Sequence, residues 1–138
     1  MIKTFATQKV LIINLKKRVM TNLRNSVQLI GNLGGDPEIK KYDGDKTMAK
    51  ISLATTDMYY NSEGNKVKET HWHNLVLWGR QASLAEKYLK KGSEIAVEGK
   101  LTSRSYEDKN GTKKYITEVH VNELLMLRSP KEETLDQL

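Results

Sequence analysis

Only one stretch of this chain is patterned as a helix, and it interrupts a sequence otherwise patterned as strands. Residues 81–91 contain no β-branched side chain, and their apolar positions Leu84, Ala85, Tyr88 and Leu89 recur at helical spacing. Gly92 follows where a C-cap glycine is expected. On either side the apolar residues alternate with polar ones. Residues 26–32 suit a first strand, broken by Gly34-Gly35-Asp36-Pro37. A short extended piece over 38–42 leads through Asp43-Gly44-Asp45 into a long second strand over 46–60, where Ala49, Ile51 and Leu53 alternate with Lys50 and Ser52. Residues 61–65 form a polar loop, and 66–78 contain a third strand. The fourth spans 94–106, Asp108-Lys109-Asn110-Gly111 gives a hairpin signal, and 113–127 return as the fifth. Three strands, a helix and a long hairpin give an all-β class. The order is that of a five-stranded Greek-key barrel with one short helix between strands 3 and 4. A sandwich or another small barrel is compatible with the same elements.

A length of 138 residues supports one domain with a real core. The absence of cysteine excludes disulfide scaffolds, thiol catalysis and cysteine-based zinc sites. No apolar run reaches the ~18–20 residues of a membrane-spanning helix. The net charge of +6 is unevenly placed. Residues 1–20 hold Lys3, Lys9, Lys16, Lys17 and Arg18 with no acid, and the last eight residues are net acidic. Residues 21–130 therefore carry only +3, from 17 basic and 14 acidic side chains. Bulk charge says little about a polyanionic partner; the placement of charges and rings says more.

The chain divides into an extension over 1–21, a domain over 22–128 and a short tail over 129–138 that is expected to be flexible. The extension has three readings: a start assigned upstream of the true start Met20, a basic acid-free organellar leader, or a genuine extension.

The third strand is the most informative. Alternation places Trp72, Asn74, Val76 and Trp78 on one face, and His73, Leu75 and Leu77 on the other. Leu75 and Leu77 suit a barrel interior, which leaves two tryptophans outside it. One outward tryptophan is compatible with packing in a core or interface. Two beside Asn74 make a platform for flat nucleobases, each stacked base contributing about 1–3 kcal/mol whatever its identity. On the fourth strand, Lys100, Thr102, Arg104 and Tyr106 share a face, offering charge for phosphates and a ring for a base. The second strand ends in Met58-Tyr59-Tyr60, adding rings near the polar loop.

These residues carry a resemblance. Val27-Gln28-Leu29-Ile30-Gly31-Asn32-Leu33-Gly34, Ile51-Ser52-Leu53-Ala54-Thr55-Thr56, and Trp72-His73-Asn74-Leu75-Val76-Leu77-Trp78-Gly79 occur in order. Tyr88-Leu89-Lys90-Lys91-Gly92-Ser93 and Val97-Glu98-Gly99-Lys100-Leu101 follow. Together they resemble bacterial-type single-stranded DNA-binding proteins from Asn25 to about Leu127. The resemblance implies an OB-fold homotetramer, without cofactor or catalytic group, that binds and protects single-stranded DNA with little sequence preference. The processes implied are replication, recombination and repair. It implies stacking on Tyr59, Trp72, Trp78 and Tyr106, with Arg104 and Lys100 against the backbone. Many relatives carry Trp where Tyr59 and Tyr106 stand, and Phe where Trp78 stands. Relatives also close in an acidic Pro-Phe tip that recruits replication and repair proteins; this sequence stops at Asp136-Gln137-Leu138, which puts such partners in doubt. The implied location is the cytoplasm, at the nucleoid or replication fork, or an organelle if the first segment is a leader.

Other features point elsewhere only weakly. His71 and His73 are assigned to opposite faces of their strand, and so to no shared metal; His120 lacks an evident carboxylate partner. The acids are scattered, with no pair spaced for acid–base catalysis. Gly31-x-x-Gly34-Gly35 ends a strand and no helix follows to receive a phosphate. Lys90-Lys91 reads as a solvated helix end. Three rival functions stay open: an OB protein that mainly contacts other proteins, a metal-dependent nuclease using His71 and His73, and an RNA binder, since stacking does not read the 2′-hydroxyl.

Overall fold

The computed structural model describes residues 23–130. The expectations for residues 1–21 and for the end of the tail lie outside the described residues. The strands are β1 (Val27–Leu33), β2 (Glu38–Tyr42), β3 (Lys46–Tyr60), β4 (Lys66–Trp78), β5 (Glu94–Glu107) and β6 (Lys113–Arg128), with helix α1 (Arg80–Tyr88) between β4 and β5. In sheet order they run β1-β5-β6-β4-β3-β2, and a pairing of β1 with β3 closes five of them into a barrel. Asn32 lies opposite Ala54 and Leu33 opposite Leu53 at this closure. The short piece expected over 38–42 is a full strand. It pairs with β3 from Glu38–Lys50 to Tyr42–Lys46 and widens the sheet beside the barrel.

Leu53, Leu75, Leu77 and Ile95 are completely buried, with Ile51, Val97, Val119 and Val121 around them. Each such side chain contributes about 1.5–3 kcal/mol by leaving water. Helix α1 is bound to this core through Ala82 and Ala85, whose single methyl groups allow close approach. The helix is shorter than its periodicity predicts. Leu89 turns to extended backbone (φ −97°, ψ 145°) while its N–H still bonds the Ala85 carbonyl, and its side chain enters the core. The C-cap is therefore Leu89, not Gly92. Gly92 belongs to the next turn, where the Ser93 N–H bonds the Lys90 carbonyl and the Ser93 hydroxyl accepts from the Lys90 N–H.

β3 and β4 pair without interruption from Met48–Trp78 to Tyr60–Lys66, and β5 and β6 run on to Glu107–Lys113. Both hairpins end in loops built alike. The side-chain oxygen of Asn61 accepts the Glu63 and Asn65 N–H groups, and that of Asp108 accepts those of Asn110 and Thr112. A register shift at Glu98/Gly99 makes Asn122 an extra residue on β6, a β-bulge. The Gln81 side chain of α1 donates to the Asn122 carbonyl, tying the helix to the bulge.

Candidate nucleic-acid interface

Register decides which side chains share a surface. Directly opposed residues in the β3–β4 pair lie on the same face, so Ala54, Ser52, Lys50 and Met48 accompany Trp72, Asn74, Val76 and Trp78. β6 joins β4 in parallel at Leu75–Val119 and Val76–His120. His120, Glu118, Ile116 and Lys114 in turn stand opposite Lys100, Thr102, Arg104 and Tyr106 of β5. One outer face therefore runs across β3, β4, β6 and β5. It brings together Trp72, Trp78, Lys100, Arg104 and Tyr106.

The two tryptophans keep 61% and 47% of their surface exposed. Trp72 stands opposite Ala54, and its ring reaches Gly34 at the end of β1. Trp78 lies beside Tyr42, with ring centroids 6.0 Å apart and planes inclined by 31°. Both line an open cleft with Lys46 and the Asp43 and Asp45 turn. Val76, between them, is buried, because strands on both sides place Lys50 and His120 against it.

At the other end of the face, the Arg104 Nε donates to Glu118 Oε1 at 2.7 Å, and its guanidinium carbon is 6.0 Å from the Tyr106 ring centroid. The hydrogen bond to Glu118, then the charge of that carboxylate, raises the Arg104 pKa above its ordinary value, so the guanidinium remains fully charged. Lys100 has no ion pair among the described residues and stands opposite His120.

Tyr59 is not brought to this face. It opposes Val67 and shares the parity of Leu53 and Leu75, whereas its neighbour Tyr60 opposes Lys66 with the parity of Trp72. Both tyrosines are exposed on the arm that β3 and β4 form beyond the barrel.

Two further members of the surface escape sequence reasoning. Tyr42 lies on a strand that reads as a connecting piece. Lys50 shows as outward-facing by alternation, but its place beside Asn74 and Val76 follows only from the β3–β4 register.

The two histidines correct their assignment. Two residues apart on one strand, His71 and His73 share a face. They differ in partners: His71 Nε2 lies 3.8 Å from Asp57 and 3.7 Å from Glu69, while His73 Nε2 is 2.8 Å from the Thr55 hydroxyl. Among the described residues no group of three or more His, Asp or Glu side chains is arranged to hold a metal ion.

A closed five-stranded barrel with its helix between the third and fourth barrel strands, and with rings and cations on one outer face, defines an OB-type nucleic-acid-binding module. The model of the single-strand binding protein family matches residues 24–127, and the chain belongs to that family. It is 45% identical over 104 residues to single-stranded DNA-binding protein 1 of Xylella fastidiosa, covering 75% of this chain and 76% of that one. Identity is also 45% over 109 residues with the single-stranded DNA-binding protein of Bacteroides thetaiotaomicron, covering 78% and 67%. Among solved structures, the Plasmodium falciparum protein in complex with single-stranded DNA superposes with a TM-score of 0.69 at 32% identity, covering 75% of this chain and 95% of that one. A deletion mutant of the Thermus aquaticus single-stranded DNA-binding protein gives 0.67 at 31% identity, covering 77% and 51%.

Proposed function

We propose that this chain binds single-stranded DNA without catalysis and with little preference for sequence, protecting it during replication, recombination and repair. The observation that carries the reading is the shared outer face of Trp72 and Trp78, continuous across the sheet with Lys100, Arg104 and Tyr106. Bases stack on the rings, and the cations meet the phosphates between them. Tyr42 widens the Trp78 platform. Tyr59 contributes where the strand wraps around the β3–β4 arm. The relatives' names and the DNA-bound Plasmodium structure support the choice of ligand.

Self-association belongs to the same reading. Ile30, Ala96 and Leu125 stand in one row across β1, β5 and β6. Ile30 and Leu125 leave 63% and 61% of their surface exposed, an apolar patch suited to a second copy. A homotetramer assembled through such patches would let one long strand contact several stacking faces. The cytoplasm is the proposed location; among the described residues no helix is long and apolar enough to cross a membrane.

Quenching of tryptophan fluorescence during titration with oligo-dT, at two salt concentrations, tests the proposal. The double variant Trp72→Ala/Trp78→Ala is expected to lose at least about tenfold in affinity, because two stacks contribute more than ~1.4 kcal/mol together. The logarithm of the affinity should fall with log salt by about 0.7 per phosphate neutralised. Absence of quenching would favour a protein-contact role, and cleavage of the oligomer with Mg²⁺ or Mn²⁺ would restore the nuclease reading.

A further inference from the structure

On a face read as binding a polyanion, the least exposed charged group is an acid. Glu118 keeps only 4% of its surface accessible, yet register places it with Thr102 and Lys100 on the outer side of the barrel. It helps line a recess with Asp36, Glu38, Lys50, Ser52, Asn74 and Ile116. A negative charge there repels phosphate, so on charge alone Glu118 weakens the proposed activity.

What it holds accounts for its presence. Arg104 donates to it through Nε, at 2.7 Å. A bond at Nε fixes the plane of the guanidinium and leaves the terminal nitrogens free to donate elsewhere. The same guanidinium lies beside the Tyr106 ring, so its direction is set from two sides. Unconstrained, a long arginine side chain samples many orientations and loses that freedom on binding.

We propose that Glu118 is a positioning residue, fixing Arg104 so that its terminal N–H groups meet the phosphate beside a base stacked on Tyr106. The inference rests on the reading of this face as the single-stranded DNA site. Its sign is opposite to simple electrostatics: removing the acid weakens binding.

The test is a set of variants of the full chain titrated with oligo-dT. Glu118→Ala removes charge and acceptor and is expected to weaken binding about three- to tenfold. Glu118→Gln keeps an acceptor oxygen without the charge and should bind at least as tightly as the parent. In an Arg104→Ala background, Glu118→Ala should cost nothing further. Tighter binding by both Glu118 variants overturns the proposal, as does an equal loss from Glu118→Ala with and without Arg104. Arg104→Ala without effect removes Arg104 from the DNA site and the proposal with it. A loss from Arg104→Ala beside a harmless Glu118→Ala removes the proposal alone. Should Glu118→Ala not fold, nitrogen-15 NMR of the parent decides. The Arg104 Nε proton should be protected from exchange with and without oligo-dT, and loss of that protection on binding overturns the assignment.

Discussion

Trp72 lies so close to Gly34 that a β-carbon on the glycine would stand 2.4 Å from the indole Cζ3. The ring is thus seated on main chain, and Gly34 is itself held by its N–H bond to the Ser52 carbonyl at 2.9 Å. Ala54 opposite leaves room for the indole to cross β3. A stacking surface fixed this way loses little freedom when a base settles on it. Gly34→Ala should displace the ring, not the backbone, because the obstructing atoms belong to the end of a side chain. The expected result is a folded protein with altered tryptophan emission. Its affinity for oligo-dT should fall roughly three- to tenfold, part of the ~1–3 kcal/mol that one stacked base contributes.

The two tyrosines at the end of β3 separate two paths for the strand. Tyr60 has the parity of Trp72, and Tyr59 that of the core leucines. If bound DNA stays on the outer face, Tyr60→Ala reduces affinity and Tyr59→Ala does not. Wrapping around the arm reverses the order. Wrapping is the course under which Tyr59 takes part as proposed and is the expected outcome, with Tyr59→Ala costing about 1 kcal/mol or more in oligo-dT titrations and Tyr60→Ala less.

Much of this was legible in the residues, and the missing part has a definite cause. The alternation of Ala49, Ile51 and Leu53 and of Leu75 and Leu77 revealed two strands with odd-numbered core residues. Paired on a common interior, their even-numbered residues must share the exterior, which would have placed Lys50 with the tryptophans and Tyr59 away from them. Which of these residues stand side by side needs a register, and periodicity within one strand does not supply one. Helix α1 ended early because burial of Leu89 outweighed a helical pattern that continued to Lys91. Tyr42 does not stand out in the sequence because a five-residue strand beside a Gly-containing turn resembles a connection. The Arg104–Glu118 pair joins residues 14 apart across a hairpin whose exact pairing the turn signal alone left open.

Gly99 marks a point where the barrel admits no side chain. A β-carbon there would lie 2.1 Å from the His120 carbonyl oxygen and 3.0 Å from the Val121 Cα, both main chain that cannot rotate aside. Gly99→Ala should therefore cost about 3 kcal/mol, seen as a lower urea midpoint. Gly35→Ala is the matched control, since nothing lies within 4 Å of its β-carbon position. It should change stability by less than ~0.5 kcal/mol.

The apolar row of Ile30, Ala96 and Leu125 ties assembly to affinity. Ile30 is well exposed in the single subunit, so Ile30→Asp leaves the barrel core intact. In an assembly the same aspartate would lose its water and find Glu98 and Glu123 in one adjoining row, while the other carries Glu94 beside Arg128, so the net charge around it is acidic. Sedimentation should then show a smaller species than the parent. An oligomer short enough to occupy one subunit should bind both proteins alike, because no stacking residue has changed. A long oligomer should distinguish them by about 10²-fold, the advantage gained when linked sites engage one strand. Equal loss on both lengths would mean that the substitution disturbs the stacking face itself, and an unchanged sedimentation coefficient would place the subunit contact elsewhere.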